Sequence, residues 1–86
     1  MEVVVYGPLR SATGTKRVEV DFDGSTVGDA LRAFVEAYPR TADHLYDDEG
    51  GLRPSVRLMR DGDRIDVDEA CSDGDELALF PAMQGG

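Results

Sequence analysis

Only one stretch of the 86-residue sequence repeats its apolar residues at helical spacing. Between Thr26 and Tyr38, the residues Val27, Ala30, Leu31, Phe34, Val35 and Tyr38 stand at i, i+3, i+4, i+7, i+8 and i+11. That pattern places one apolar stripe along one side of a helix. Thr26, with Asp29 three residues on, is a start signal that sets an acid near the helix N-terminus. Pro39 ends the pattern, because the residue before a proline is pushed out of helical backbone. A lone amphipathic helix needs an apolar surface to cover, and the remaining runs supply it as strands.

Glu2 to Tyr6 (EVVVY) is β-branched and aromatic and stops at Gly7-Pro8, which reads as a first strand. Leu9 to Thr15 reads as a turn. Lys16 to Phe22 puts Val18, Val20 and Phe22 on one face, a half-buried second strand forming an antiparallel hairpin with the first. Arg40 to Pro54 is polar and reads as a loop with a short helical turn around Ala42–Tyr46. Ser55 to Arg60, Asp61-Gly62 and Asp63 to Val67 read as a hairpin, since Asp-Gly tolerates the positive φ of a two-residue turn. Glu76 to Phe80 (ELALF) alternates again and is the last strand, stopped by Pro81, which has no N–H for a ladder. One helix on one face of a mixed sheet of four to five strands is an α+β arrangement.

A chain of this length buries roughly 60–65% of its unfolded surface, which suffices for one modest core. No apolar run approaches the ~20 residues of a membrane helix, and Met1 leads straight into a strand rather than a secretory signal. A cytoplasmic, monomeric protein is expected. Eighteen acids against nine bases give a net charge of −9, which repels nucleic-acid phosphates and anionic membranes. Eight of the nine bases are Arg and the acids are mostly Asp, a surface suited to high salt, where charges are screened. One cysteine, Cys71, excludes an internal disulfide and any Cys₄ metal or iron–sulfur site in one chain. It reads as a small packed hydrophobe. The acids Asp47-Asp48-Glu49 lack the alternation of a calcium loop, and His44 stands alone. No metal site and no catalytic residue is expected.

The chemistry sits at the end of the sequence: Phe80-Pro81-Ala82-Met83-Gln84-Gly85-Gly86. Two terminal glycines arise by chance in about 0.5% of chains, taking glycine at ~7% of residues. A carboxylate is a poor electrophile because it is anionic, and adenylation gives it a leaving group. The six residues past Phe80 reach at most ~20 Å, and glycine brings no side chain to a narrow channel. Nothing follows Gly86, so no processing step is expected to expose it. The chain reads as a carrier rather than an enzyme.

Val4-Val5-Tyr6-Gly7-Pro8-Leu9-Arg10, Thr26-Val27-Gly28-Asp29-Ala30-Leu31 and Asp73 to Pro81 with Gly85-Gly86 together resemble one group. They resemble the ubiquitin-like small archaeal modifier proteins of the MoaD/ThiS sulfur-carrier family. The resemblance spans essentially the whole chain; Ala82 departs from it where many relatives carry a second proline. It implies a ubiquitin-like β-grasp domain over residues 1–80 and a flexible tail over 81–86. It also implies that a ubiquitin-activating-type enzyme, itself using ATP, adenylates Gly86. The activated carboxyl then joins target-protein lysines as an isopeptide, or becomes a thiocarboxylate for molybdopterin biosynthesis or tRNA thiolation. The implied partners are that enzyme, the targets, and the large subunit of molybdopterin synthase or a tRNA thiolation enzyme. This chain itself binds no cofactor.

Strand alternation turns Val56, Leu58, Leu77 and Leu79 toward the helix and Met59, Ala78 and Phe80 outward. Met59, Ala78, Phe80, Pro81 and Met83 are the candidate partner-binding residues beside the tail. Gly85 and Gly86 are the activation and attachment residues. Lys16, the single lysine, is a candidate acceptor for modification. Two other readings stand beside this one: a dedicated small subunit of molybdopterin synthase, and a plain acidic interaction domain whose glycine tail is incidental.

Overall fold

A computed structural model describes residues 1–81. The elements run β1 (Glu2–Val5), α1 (Pro8–Thr13), β2 (Arg17–Glu19), α2 (Val27–Ala37), a 3₁₀ turn (Pro39–Thr41), α3 (Ala42–Leu45), β3 (Arg57–Arg60), β4 (Asp63–Arg64) and β5 (Glu76–Phe80). They build a five-stranded mixed sheet in the order β2-β1-β5-β3-β4. β1 and β5 run parallel at the centre, and the other neighbours are antiparallel. The expected α+β fold, one main helix on one face of the sheet, is the observed one.

Helix α2 begins as its sequence dictates. The Asp29 N–H donates to Thr26 Oγ1 at 3.2 Å, and the Thr26 N–H donates to Asp29 Oδ2 at 3.3 Å. This reciprocal pair satisfies two amides that the helix leaves without partners. Ser25 adds a third donor to the Asp29 carboxylate at 3.1 Å. Val27, Ala30, Leu31 and Phe34 are buried. They join Val3, Val5, Val18, Val20, Leu58, Leu77 and Leu79 from the sheet in one core. The stripe therefore covers the inner face of the sheet, and Leu45, Val56, Ile65 and Cys71 close the edges of the same core.

The Asp61-Gly62 turn takes positive φ at both residues, 56° and 86°, the geometry that matches the right-handed twist of the strands it joins. Three expectations are corrected. Leu9 to Thr15, read as a turn, is mostly the helix α1, which buries Leu9 and ends at Gly14 in the left-handed region, φ 84°. The second strand pairs only over Arg17–Glu19, and the strand after Asp61-Gly62 only over Asp63–Arg64. At both edges the chain turns away after a few residues, and the half-buried Phe22 and Val67 pack against the core from outside the ladder. The short helical turn around Ala42–Tyr46 is observed as α3, preceded by the 3₁₀ turn, where Thr41 is buried and its hydroxyl donates to the Tyr38 carbonyl at 2.7 Å.

Candidate functional site

Strand register decides which residues share the outer face of the sheet. Met59 stands opposite Ala78, and Arg57 opposite Phe80, across the β3–β5 ladder. Val4 pairs with Ala78 across the parallel β1–β5 ladder and with Arg17 across β1–β2. Met59, Ala78 and Phe80 are half-buried on this face, while Leu58, Leu77 and Leu79 between them are buried in the core. The outward assignment of these three residues thus holds. Val4 is only 4% exposed although it lies outside the main core, because Arg17 and Ala78 flank it.

The parallel pairing has a consequence for the end of the sheet. Val5 stands beside Leu79, so the next residues, Tyr6 and Phe80, emerge side by side. Their rings stack with centroids 4.3 Å apart and planes 8° from parallel. Such a pair contributes about 0.5–1.5 kcal/mol beyond the area it buries. The Lys16 ammonium lies 5.1 Å from the Tyr6 centroid, a cation–π contact of about 0.5–1 kcal/mol at an exposed site. Lys16 is held there because its carbonyl accepts from the Val5 N–H at 2.8 Å. The chain leaves this corner through Pro81, directly after Phe80.

The far end of the face is polar. Arg17 bridges Glu2 at 2.8 Å and Glu76 at 3.0 Å. Those contacts hold its guanidinium protonated, the Glu2 hydrogen bond contributing most. Lys16, Arg17, Arg57 and Arg64 all border the outer face, so four of the nine bases in a strongly acidic chain gather around its apolar strip. Tyr6, Arg17, Arg57 and Arg64 were not singled out from sequence as site residues. Alternation puts Tyr6 on the face of Val4, but its meeting with Phe80 depends on the parallel pairing of residues 74 positions apart.

Pro81, expected on the partner-binding surface, is buried rather than exposed. Met83, Gly85 and Gly86 lie outside the described residues. Cys71 is buried at 7% exposure, and burial, with Asp75 beside it, pushes its thiol pKa up. It is therefore a packed thiol and not a nucleophile. Among the described residues no group of three or more His, Cys, Asp or Glu is gathered to hold a metal. No described helix is long and apolar enough to cross a membrane. A cavity of about 550 Å³ opens between α2 and the 46–52 loop, and none of its lining residues belongs to the outer sheet face.

This sheet, with one principal helix on its inner face and the chain leaving from the central strand, defines a ubiquitin-like β-grasp protein. The chain belongs to the ThiS family, whose sequence profile matches residues 3–86. It is 41% identical to small archaeal modifier protein 1 of Haloferax volcanii over 87 aligned positions, covering 100% of both chains. It superposes on a crystal structure of that protein with a TM-score of 0.91, covering 100% of this chain and 98% of that one. Small archaeal modifier protein 3 of the same organism is 32% identical over 92 positions, covering 100% of this chain and 98% of the relative. The crystal structure of CysO from Mycobacterium tuberculosis is 25% identical with a TM-score of 0.76, covering 95% of this chain and 98% of that one.

Proposed function

We propose that this chain is a ubiquitin-like protein modifier and sulfur carrier that works through the carboxylate of Gly86. The observation that carries the reading is the full-length match to a named modifier protein in sequence and in fold. The head, residues 1–80, presents a surface and the segment 81–86 delivers the reacting group. A ubiquitin-activating-type enzyme binds ATP, and the Gly86 carboxylate attacks the α-phosphate, releasing pyrophosphate and leaving an acyl-adenylate. A target lysine amine then displaces AMP to form an isopeptide, or a sulfur donor converts the acyl group to a thiocarboxylate for molybdopterin biosynthesis or tRNA thiolation. The chain supplies no catalytic residue and no cofactor; it is the substrate, acting as a monomer in the cytoplasm.

The outer sheet face suits the docking step. Phe80, Tyr6, Ala78 and Met59 form an apolar strip that ends where the chain departs at Pro81. An enzyme holding Gly86 lies within the ~20 Å reach of six residues from Phe80, so it meets this strip first. Apolar residues ringed by charge are the usual centre of such contacts.

The test isolates the protein from its own cells, tagged at the N-terminus, with and without Gly85 and Gly86. Because Arg64 is the last tryptic site, conjugates carry the segment 65–86 on a target lysine. Such conjugates, lost on deletion, establish the modifier. A free chain with one terminal oxygen replaced by sulfur establishes the carrier. Stable recovery with one large catalytic partner and no other product points to a dedicated molybdopterin synthase subunit. Neither mark, with unchanged growth on deletion, leaves a plain interaction domain and overturns the proposal.

A further inference from the structure

A sheet edge carries backbone groups that are left to solvent or to a partner. In the order β2-β1-β5-β3-β4, strand β2 has a neighbour on one side only. The Val5 N–H donates to the Lys16 carbonyl and the Val20 N–H donates to the Met1 carbonyl, with Val3 opposite Val18 midway between these bonds. Hydrogen-bonded and non-hydrogen-bonded pairs alternate along an antiparallel ladder. Lys16, Val18 and Val20 therefore face β1, and Arg17 and Glu19 turn their N–H and C=O groups to the open edge. Both residues are exposed, and among the described residues no further strand meets them.

A groove of about 380 Å³ runs between this edge and the later turns of α2. Val20, Ala33 and Ala37 give it an apolar lining, Glu19, Asp21 and Glu36 supply carboxylates, and no basic residue lines it. We propose that the open edge of β2 receives an extended, Lys- or Arg-bearing segment of another protein as an added strand, with its basic side chains laid in this groove. The inference goes beyond the carrier reading and does not depend on it.

Arg17 and Glu19 stand about 6.8 Å apart along the strand, the repeat at which an added strand presents its own backbone groups. Those main-chain bonds give affinity, and the groove gives the choice of side chain. A side chain entering on the α2 side crosses Val20, Ala33 and Ala37 and ends among carboxylates. Lysine and arginine have that make-up, an apolar stem with a charged head. A second copy of this chain would bring its own Glu19 and Asp21 to the groove, so like charge keeps identical edges apart. The groove opens on the α2 side of the sheet, whereas Met59, Ala78 and Phe80 lie on the other face. A partner at the β2 edge thus leaves the outer face open.

The probe is a short synthetic peptide in which valine and lysine alternate, added to the full chain and followed by NMR. At saturation the Arg17 and Glu19 amide protons are expected to exchange with solvent about tenfold or more slowly than in the free chain, because they become hydrogen-bonded. The same peptide N-methylated at alternate residues keeps its charge but loses backbone donors on one edge, and is expected to bind about tenfold or more weakly. Asp21→Asn with Glu36→Gln is expected to weaken binding several-fold at low salt, and the difference should fade at 1 M salt, where the Debye length is about 3 Å. Arg17→Pro removes one outward N–H from an edge position where proline is tolerated. It also makes the edge more acidic, so strand addition predicts weaker binding where charge attraction alone predicts tighter. If that variant does not fold, the N-methylated peptide decides the matter on wild type. The inference is overturned if the peptide does not bind, if its N-methylated form binds equally well, or if Arg17→Pro binds as tightly as wild type. It is equally overturned if the peptide perturbs Tyr6 and Phe80 in place of Arg17 and Glu19. Protection of the Arg17 and Glu19 amides that rises with protein concentration and needs no peptide would make a second copy the occupant and overturn it too.

Discussion

Phe80 carries two roles that a single substitution separates. It stacks on Tyr6 and it stands last on the exposed face before the chain leaves at Pro81. Replacing it with alanine removes a half-buried ring rather than a core one, so the domain is expected to stay folded. Binding to the activating enzyme is expected to weaken about tenfold or more, as for a central contact residue. Titration calorimetry of Phe80→Ala beside wild type checks this, and equal affinities would sink the docking surface. Asp75 is a second informative residue. The Ser72 N–H donates to its carboxylate at 3.0 Å, and Arg60 stands 3.3 Å away. That backbone hydrogen bond first, and Arg60 next, hold the Asp75 pKa below its usual value. The folded pKa lies below the unfolded one, so the unfolded chain binds more protons in the interval between them. The stabilisation is complete above the unfolded value of about 4 and is lost as pH falls through the lowered one. Asp29 behaves alike, through the Ser25 and Thr26 amides. The urea midpoint of wild type should therefore drop more between pH 5 and pH 3, on the order of the carboxylate range, than that of Asp75→Asn. Parallel declines would remove Asp75 from this account.

At the scale of elements, the clearest local signals became the clearest structures. The Thr26/Asp29 pair forms its reciprocal cap, and Thr26→Ala should cost about 1 kcal/mol. For a domain of this size that is a fall in melting temperature of roughly 4–8 °C, and calorimetry of the variant showing no change would discount the cap. Alternation in Glu76–Phe80 and around Leu58 assigned the two faces of β3 and β5 correctly, because a half-buried strand must keep its apolar residues on the core side. Helix α1 escaped notice for a physical reason. It is six residues long and buries one apolar residue, Leu9, too few to show a helical period. Its two ends, Pro8 at the first turn and left-handed Gly14 beyond the last, are the marks that reveal it. The premature ends of β2 and β4 were equally hidden, since Phe22 and Val67 keep the strand alternation after the last ladder hydrogen bonds, those of Val20 to Met1 and Ile65 to Leu58.

At the scale of the whole molecule, charge and topology matter most. A net charge of −9 on 86 residues repels itself. Raising salt from 0.1 to 1 M shortens the Debye length from about 10 to about 3 Å, so the melting temperature should climb over that range. A melting temperature indifferent to salt would refute adaptation to a saline interior. The amphipathic helix, the faces of β3 and β5 and the Gly-Gly end of the sequence are all local patterns, and local patterns can be read along a chain. The sheet order β2-β1-β5-β3-β4 is different. It pairs the first strand with the last in parallel, and nothing near either strand names the other. From that pairing came the stack of Tyr6 on Phe80 and the burial of Pro81 beside it. Those contacts join residues far apart in sequence through a core that exists only once α2 has covered the sheet, and so they became visible in the folded molecule alone.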